Sequence, residues 1–185
     1  MLCMHLDGKM LSFSLANDYL EGIDTARLAI SVKNFDGKVL HQEERIIPHL
    51  KGNITTLIDS ISVEPFMKPD VYVDLKLFSQ RGTAESRWYP VRTKEMKFPH
   101  TKGQMYDLNI KPIDKTKKTY QVEIKANCFL KDVFLSVPHM GARWSDNLLD
   151  LVRGEKRTII LTLNEGTHLS REQVRVRTMN EINNQ

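Results

Sequence analysis

Cysteine is scarce: the 185 residues hold two, Cys3 and Cys128, far apart and outside any CxxC or Cys/His array, so neither a disulfide framework nor a zinc knuckle is written here. Both read as ordinary thiols. Long apolar runs are missing as well. No stretch approaches the roughly 18 residues that a membrane-spanning helix needs, and Met1-Leu2-Cys3-Met4-His5-Leu6-Asp7 lacks the basic start and apolar core of a signal peptide. Charge of one sign is lacking too: 27 Lys and Arg against 23 Asp and Glu leave +4, a surplus too thin for a nucleic-acid grip. The nine glycines form no GxGxxG or P-loop, which removes the usual signatures of dinucleotide and phosphate binding. No GxSxG elbow marks an activated serine. The six histidines, His5, His41, His49, His100, His139 and His168, include no HExxH and no pair at i and i+4, so no metal and no cofactor are expected.

What is present is alternation. Hydrophobic residues make up 41% of the chain, enough for a core, and they recur with period two. Leu11, Phe13 and Leu15 alternate with serines; Leu28, Ile30 and Val32 alternate with Arg27, Ala29 and Ser31; Val71, Val73, Leu75 and Leu77 share one face. Tyr120, Val122 and Ile124, and later Ile159, Leu161 and Leu163, repeat the pattern, as half-buried strands should. Turn chemistry breaks the runs at Asn34-Phe35-Asp36-Gly37, Lys51-Gly52-Asn53, Gln80-Arg81-Gly82, Asp114 to Lys118 and Arg153-Gly154-Glu155. About eleven strands are expected, starting near residues 10, 26, 38, 54, 71, 86, 106, 119, 132, 157 and 173. Asp146 to Val152 is the one stretch that hints at a helix.

Eleven strands exceed one sandwich of seven to nine, so the expected architecture is all-β, two tandem immunoglobulin-like antiparallel sandwiches. The boundary is placed near Thr101-Lys102-Gly103-Gln104, giving domains 1–102 and 103–185. The abrupt entry into patterned sequence at Met1 suggests a piece of a longer protein.

The run Phe129-Leu130-Lys131-Asp132-Val133-Phe134-Leu135-Ser136, followed by Arg143-Trp144-Ser145-Asp146-Asn147-Leu148-Leu149-Asp150-Leu151-Val152-Arg153-Gly154-Glu155, resembles the C-terminal domain of β-mannosidases of glycoside hydrolase family 2. Leu148 and Leu149 stand where that family often has aromatics, and Arg153 where proline is usual. Upstream, Val73-Asp74-Leu75-Lys76-Leu77, Ser86-Arg87-Trp88-Tyr89 and Lys94-Glu95-Met96-Lys97-Phe98-Pro99 resemble the end of the preceding sandwich in the same enzymes. Related exo-β-glucosaminidases carry similar tails. The resemblance implies that the catalytic glutamates lie on a barrel preceding these domains, so no catalytic residue is carried over. It implies a non-catalytic accessory role whose partner is that barrel, with oligosaccharide as a further candidate partner and neither nucleic acid nor membrane.

Three aromatics, Trp88, Tyr89 and Trp144, are candidate carbohydrate contacts, because flat rings stack on pyranose faces; aromatics more often fill cores, and Trp144 is expected to be a core or interface plug. Asp146 and Asp150 would share a face on a helical turn, yet Ser145 and Asp146 read better as caps of that turn. Glu43 and Glu44 are adjacent and point to opposite faces of a strand. The competing readings are an independent carbohydrate-binding module and an adhesion or interaction sandwich, since the fold alone does not choose among them.

Overall fold

The computed structural model describes residues 1–99 and 103–182. The chain divides into two units, one formed by Met1–Asn34 with Lys38–Met96, the other by Phe35–Gly37 with Lys97–Gln185. The boundary expected at Thr101 to Gln104 falls partly on Thr101 and Lys102, which lie outside the described residues.

In the first unit seven strands follow one another: β1 (Leu2–Asp7), β2 (Met10–Asn17), β3 (Ala26–Asn34), β4 (Val39–Ile47), β5 (Ile54–Ser62), β6 (Val71–Ser79) and β7 (Gly82–Trp88). They form a three-stranded sheet, β1-β2-β5, and a four-stranded sheet, β4-β3-β6-β7, antiparallel throughout. The alternation read from sequence supplies the inner faces: Leu11 and Phe13 of β2, Leu28, Ile30 and Val32 of β3, and Val73 and Leu75 of β6 are completely buried. Each such side chain contributes about 1.5–3 kcal/mol by leaving water.

The edge strand β4 departs from the rule. Its inward positions, opposite Val32, Ile30 and Leu28 of β3, are His41, Glu43 and Arg45. Arg45 reaches across to Asp59 of β5 and holds Glu43 at 3.0 Å. Its hydrogen bonds to Glu43 and Asp59, against the opposing effect of desolvation, raise its already high pKa. Charged side chains turned inward on an edge strand deter pairing with another chain. On the outer side of the same sheet, buried Asp74 of β6 lies 3.2 Å from Arg87 and 3.8 Å from Lys33. This buried charge is matched, as burial requires.

The second unit repeats the plan with β8 (Tyr106–Pro112), β9 (Thr119–Ala126), β10 (Leu130–Ser136), β11 (Ala142–Trp144), β12 (Leu149–Leu151), β13 (Lys156–Leu163) and β14 (Arg175–Arg177), closed by the short helix α1 (Met179–Ile182). The sheets are β11-β13-β9-β8 and β12-β10-β14. Val122 and Ile124 of β9, Leu130, Val133 and Leu135 of β10, and Leu161 of β13 are wholly buried between them. Seven antiparallel strands in two facing sheets make each unit an immunoglobulin-like sandwich, so the all-β expectation holds.

Three strands went unanticipated: β1, β11 and β12. The helical hint at 146–152 is corrected. Leu148 takes φ +57 and residues Leu149–Leu151 pair with β10, because a strand edge there offers hydrogen bonds that an isolated turn of helix could not match.

Candidate functional site

The residues that carried the family resemblance converge on β10. Between Leu130 and Val133 the register against β12 shifts, and Asp132 sits at φ +51. This is a β-bulge. Without it, Leu130 and Val133, three apart, would face opposite sides; the extra residue brings Leu130, Val133 and Leu135 onto one buried face. Asp suits the bulge because it tolerates the left-handed region better than most side chains.

Asp150 of β12 holds the bulge in place: it accepts from the Asp132 N–H at 3.0 Å and from Lys131 Nζ at 3.0 Å, while Lys131 also meets Asp132 at 2.6 Å. Burial disfavours the charged ammonium, but the hydrogen bond from Lys131 to Asp132 and the charge of Asp150 outweigh it and raise the Lys131 pKa. A lysine so stabilised stays protonated and is no nucleophile.

Two asparagines finish the strand. Asn147 takes the Leu135 N–H on Oδ1 at 2.8 Å and donates Nδ2 to the Leu135 carbonyl at 2.9 Å. Asn180, only 1% exposed, takes the Lys131 N–H at 3.0 Å and donates to the Phe129 carbonyl at 2.8 Å. Each carboxamide stands in for a peptide group of a neighbouring strand, where β12 and β14 are too short to reach. At the turn after β12, Glu155 accepts from the Val152 N–H and from Arg157 at 3.0 Å each, and Gly154 occupies φ +83, which favours glycine.

Asp146 and Asp150 are therefore not an acid pair. Asp146 is exposed and accepts from the Asn147 N–H at 2.8 Å, whereas Asp150 is committed to Lys131 and Asp132. Ser145 does not cap a helix; its Oγ accepts from the Ile160 N–H at 2.9 Å, tying the end of β11 to β13. Glu43 and Glu44 do diverge, to Arg45 and Arg27 respectively.

Trp88 ends β7 opposite Val73 and lies half-buried against the first core. Tyr89 follows it, half-buried, 6.5 Å from the Tyr72 ring. Trp144 belongs to the second unit, opposite Leu161, and packs half-buried on that core rather than inside it. In the first unit a cavity of about 160 Å³ is lined by Asn17, Tyr19, Ser79 and Arg81 among others. Its polar groups are engaged: Arg81 holds Glu21 at 2.9 Å and lies 4.6 Å over the Tyr19 ring, and the Asn17 amide donates to the Glu21 and Lys51 carbonyls. Among the described residues no group of three or more His, Cys, Asp and Glu side chains could hold a metal ion.

Nothing in the sequence flagged the paired role of Asn147 and Asn180. Asn180 lies outside every alternating run, and with Asn183 and Asn184 close behind it nothing local singles it out.

The bulge, the Asn147 bridge and the Gly154-Glu155 turn all fall within residues 105–182, which match the Ig_mannosidase family model, an Ig-fold domain. The match lies within the second unit. Among solved structures, the chain is similar to the β-D-mannosidase of Dictyoglomus thermophilum, with 15% identity and a TM-score of 0.76, covering 96% of this chain and 21% of that one. It is also similar to the exo-chitosanase CsxA of Amycolatopsis orientalis, with 12% identity and a TM-score of 0.61, covering 97% of this chain and 25% of that one. At such identities the likeness is one of fold. The chain spans about a fifth to a quarter of the length of these enzymes. No curated protein matches it by sequence. Within the matched residues, the side chains that carried the resemblance serve β10 and its neighbours.

Proposed function

We propose that this chain serves as a non-catalytic accessory region of a glycoside hydrolase resembling the family 2 β-mannosidases and exo-β-glucosaminidases, with the catalytic barrel of such an enzyme as its partner. The observation that carries this reading is the coverage: 96% of the chain superimposes on only 21% of a β-D-mannosidase chain, so the greater part of that enzyme lies outside the likeness. The chemistry of the motif supports it. A retaining glycosidase needs two carboxyl groups about 5–5.5 Å apart flanking the scissile bond; here Asp150 is spent on Lys131 and the bulge, and Asp146 on a turn. The contribution is mechanical, holding neighbouring loops in a fixed geometry, where misplacement by about 1 Å can cost 100-fold in rate.

Two measurements test the reading. Purified chain, incubated with aryl β-mannoside and aryl β-glucosaminide, should release no more phenol than a mock preparation. In a barrel-bearing enzyme that ends in these residues, deleting them should lower folding yield and thermal stability together with turnover. Hydrolysis by the purified chain that is abolished by Asp150→Asn would overturn the non-catalytic assignment. Deletion that removes sugar affinity while leaving stability intact would favour an independent carbohydrate-binding module.

A further inference from the structure

At one end of the second unit, the segments after β10 and after β13 enclose a cleft of about 510 Å³, lined by His139, Met140, Gly141, Asn164, Glu165 and Thr167 among others. That volume is within the range of about 300–1,000 Å³ usual for small-molecule sites. Backbone bonds fix both walls. Asn164 N–H donates to the Gly141 carbonyl at 2.9 Å, Leu163 N–H to Lys118 at 2.8 Å, and Thr167 N–H to Lys117 at 3.2 Å. The buried Tyr120 hydroxyl clamps the far side, donating to the Thr167 carbonyl and accepting from the Leu169 N–H. The cleft is thus held open without help from a ligand.

Its construction shows two further marks. His139 is kept at φ +66, a conformation a side chain of its size seldom adopts. Gly141 and Gly166 sit where a Cβ would collide, with the Asn164 amide in one case and the Thr116 carbonyl in the other. The polar side chains that line the space are solvent-exposed, and among the described residues those of His139, Asn164 and Glu165 make no hydrogen bond or ion pair, which leaves them open to a ligand. An imidazole, a carboxamide, a carboxylate and the Thr167 hydroxyl together offer donors and acceptors in mixed array, with Met140 as an apolar wall.

We propose that this cleft binds the hydroxyl-rich end of a saccharide. A mixture of donors and acceptors suits hydroxyls, each of which both gives and takes a hydrogen bond. The lining includes no Lys or Arg, the side chains that hold a phosphate or sulfate most strongly. The choice of sugar rests on the accessory reading above; the location of the site does not.

The test is a ¹⁵N–¹H titration of the whole chain with β-1,4-mannotriose and, separately, with glucosamine trimer. Saturable shifts are expected at the amides of 139–141 and 163–167 for at least one of them. Asn164→Ala and Glu165→Gln should each weaken the response at least tenfold with an unchanged unfolding midpoint, because Asn164 holds its neighbour through the backbone. No saturable response to either sugar would overturn the proposal. So would shifts centred on Trp88, Tyr89 or Trp144, or undiminished binding by both variants. None of these outcomes bears on hydrolysis or on the loss of folding yield and thermal stability on deletion, so the two readings fail separately.

Discussion

Asn180→Ala should destabilise the second unit by about 2–4 kcal/mol. The wild-type carboxamide is 1% exposed and makes two hydrogen bonds to β10, at 3.0 Å from Lys131 N–H and at 2.8 Å to the Phe129 carbonyl. Net hydrogen bonds contribute about 0.5–1.5 kcal/mol each, and a buried group deprived of its partner costs about 1–3. The space left by the amide adds a cavity term that partial collapse reduces. Asn180→Asp should do no better, since it keeps the acceptor for Lys131 but turns a second oxygen toward the Phe129 carbonyl. Thr178, two residues earlier, supplies the contrast. It is equally buried, yet its Oγ1 has no hydrogen-bond partner among the described residues, so Thr178→Val, which keeps the shape and removes the polar atom, should be neutral or stabilising by about 1 kcal/mol. Urea unfolding followed by Trp144 fluorescence, in a Trp88→Phe background so that one indole reports, reads both. If Asn180→Ala shifts stability by less than about 0.5 kcal/mol, or if Thr178→Val is as damaging, the bridging argument is refuted.

Neighbouring carboxylates should behave unequally: Asp150→Ala, which strands Lys131 and the bulge, should cost about 3 kcal/mol, and Asp146→Ala, an exposed turn acceptor, less than about 1, both by chemical denaturation. Trp144→Ala should cost about 2 kcal/mol rather than the 3–5 of a fully buried ring, because part of its surface remains wet; a loss above about 4 would show it to be deeper in the core than described. Asp114 is held to a pKa of about 2, chiefly by hydrogen bonds from the Thr119 side chain, the Thr116 hydroxyl and the Lys118 N–H. Its folded value lies below the ordinary 3.8, so what it contributes is complete above that pH and is lost as pH falls toward 2. A ¹³C titration of its carboxyl should show a midpoint that rises toward 3.8 in Thr119→Val; an unchanged midpoint would remove Thr119 as the main cause.

Long strands were readable because both neighbours on a face are written into the local sequence: β3, β6, β9 and β13 run eight or nine residues and alternate cleanly. Strands β11 and β12 have three residues each, too few for any period to register. At 146–152 the spacing of Leu148, Leu149 and Leu151 fits a turn of helix as well as a strand, and the choice is made by the open edge of β10, which lies more than ten residues away. The motif around Lys131 and Asn147 was legible as a family mark but not as a bulge and a bridge, because neither part names its partner. Asn180 and the cleft beside His139 were invisible for the same reason: segments far apart in sequence build them.

The Asn180 bridge also orders events during synthesis. The amide closes bonds to residues 49 and 51 positions earlier. Until the ribosome has released Asn180, β10 lacks that support, however well its neighbours have formed. A nascent chain arrested before residue 180 should therefore expose the Phe129 to Lys131 backbone to proteases or chaperones, and one arrested well beyond it should protect that stretch. The short helix α1 thus acts as the latch of a sandwich whose seven strands all precede it.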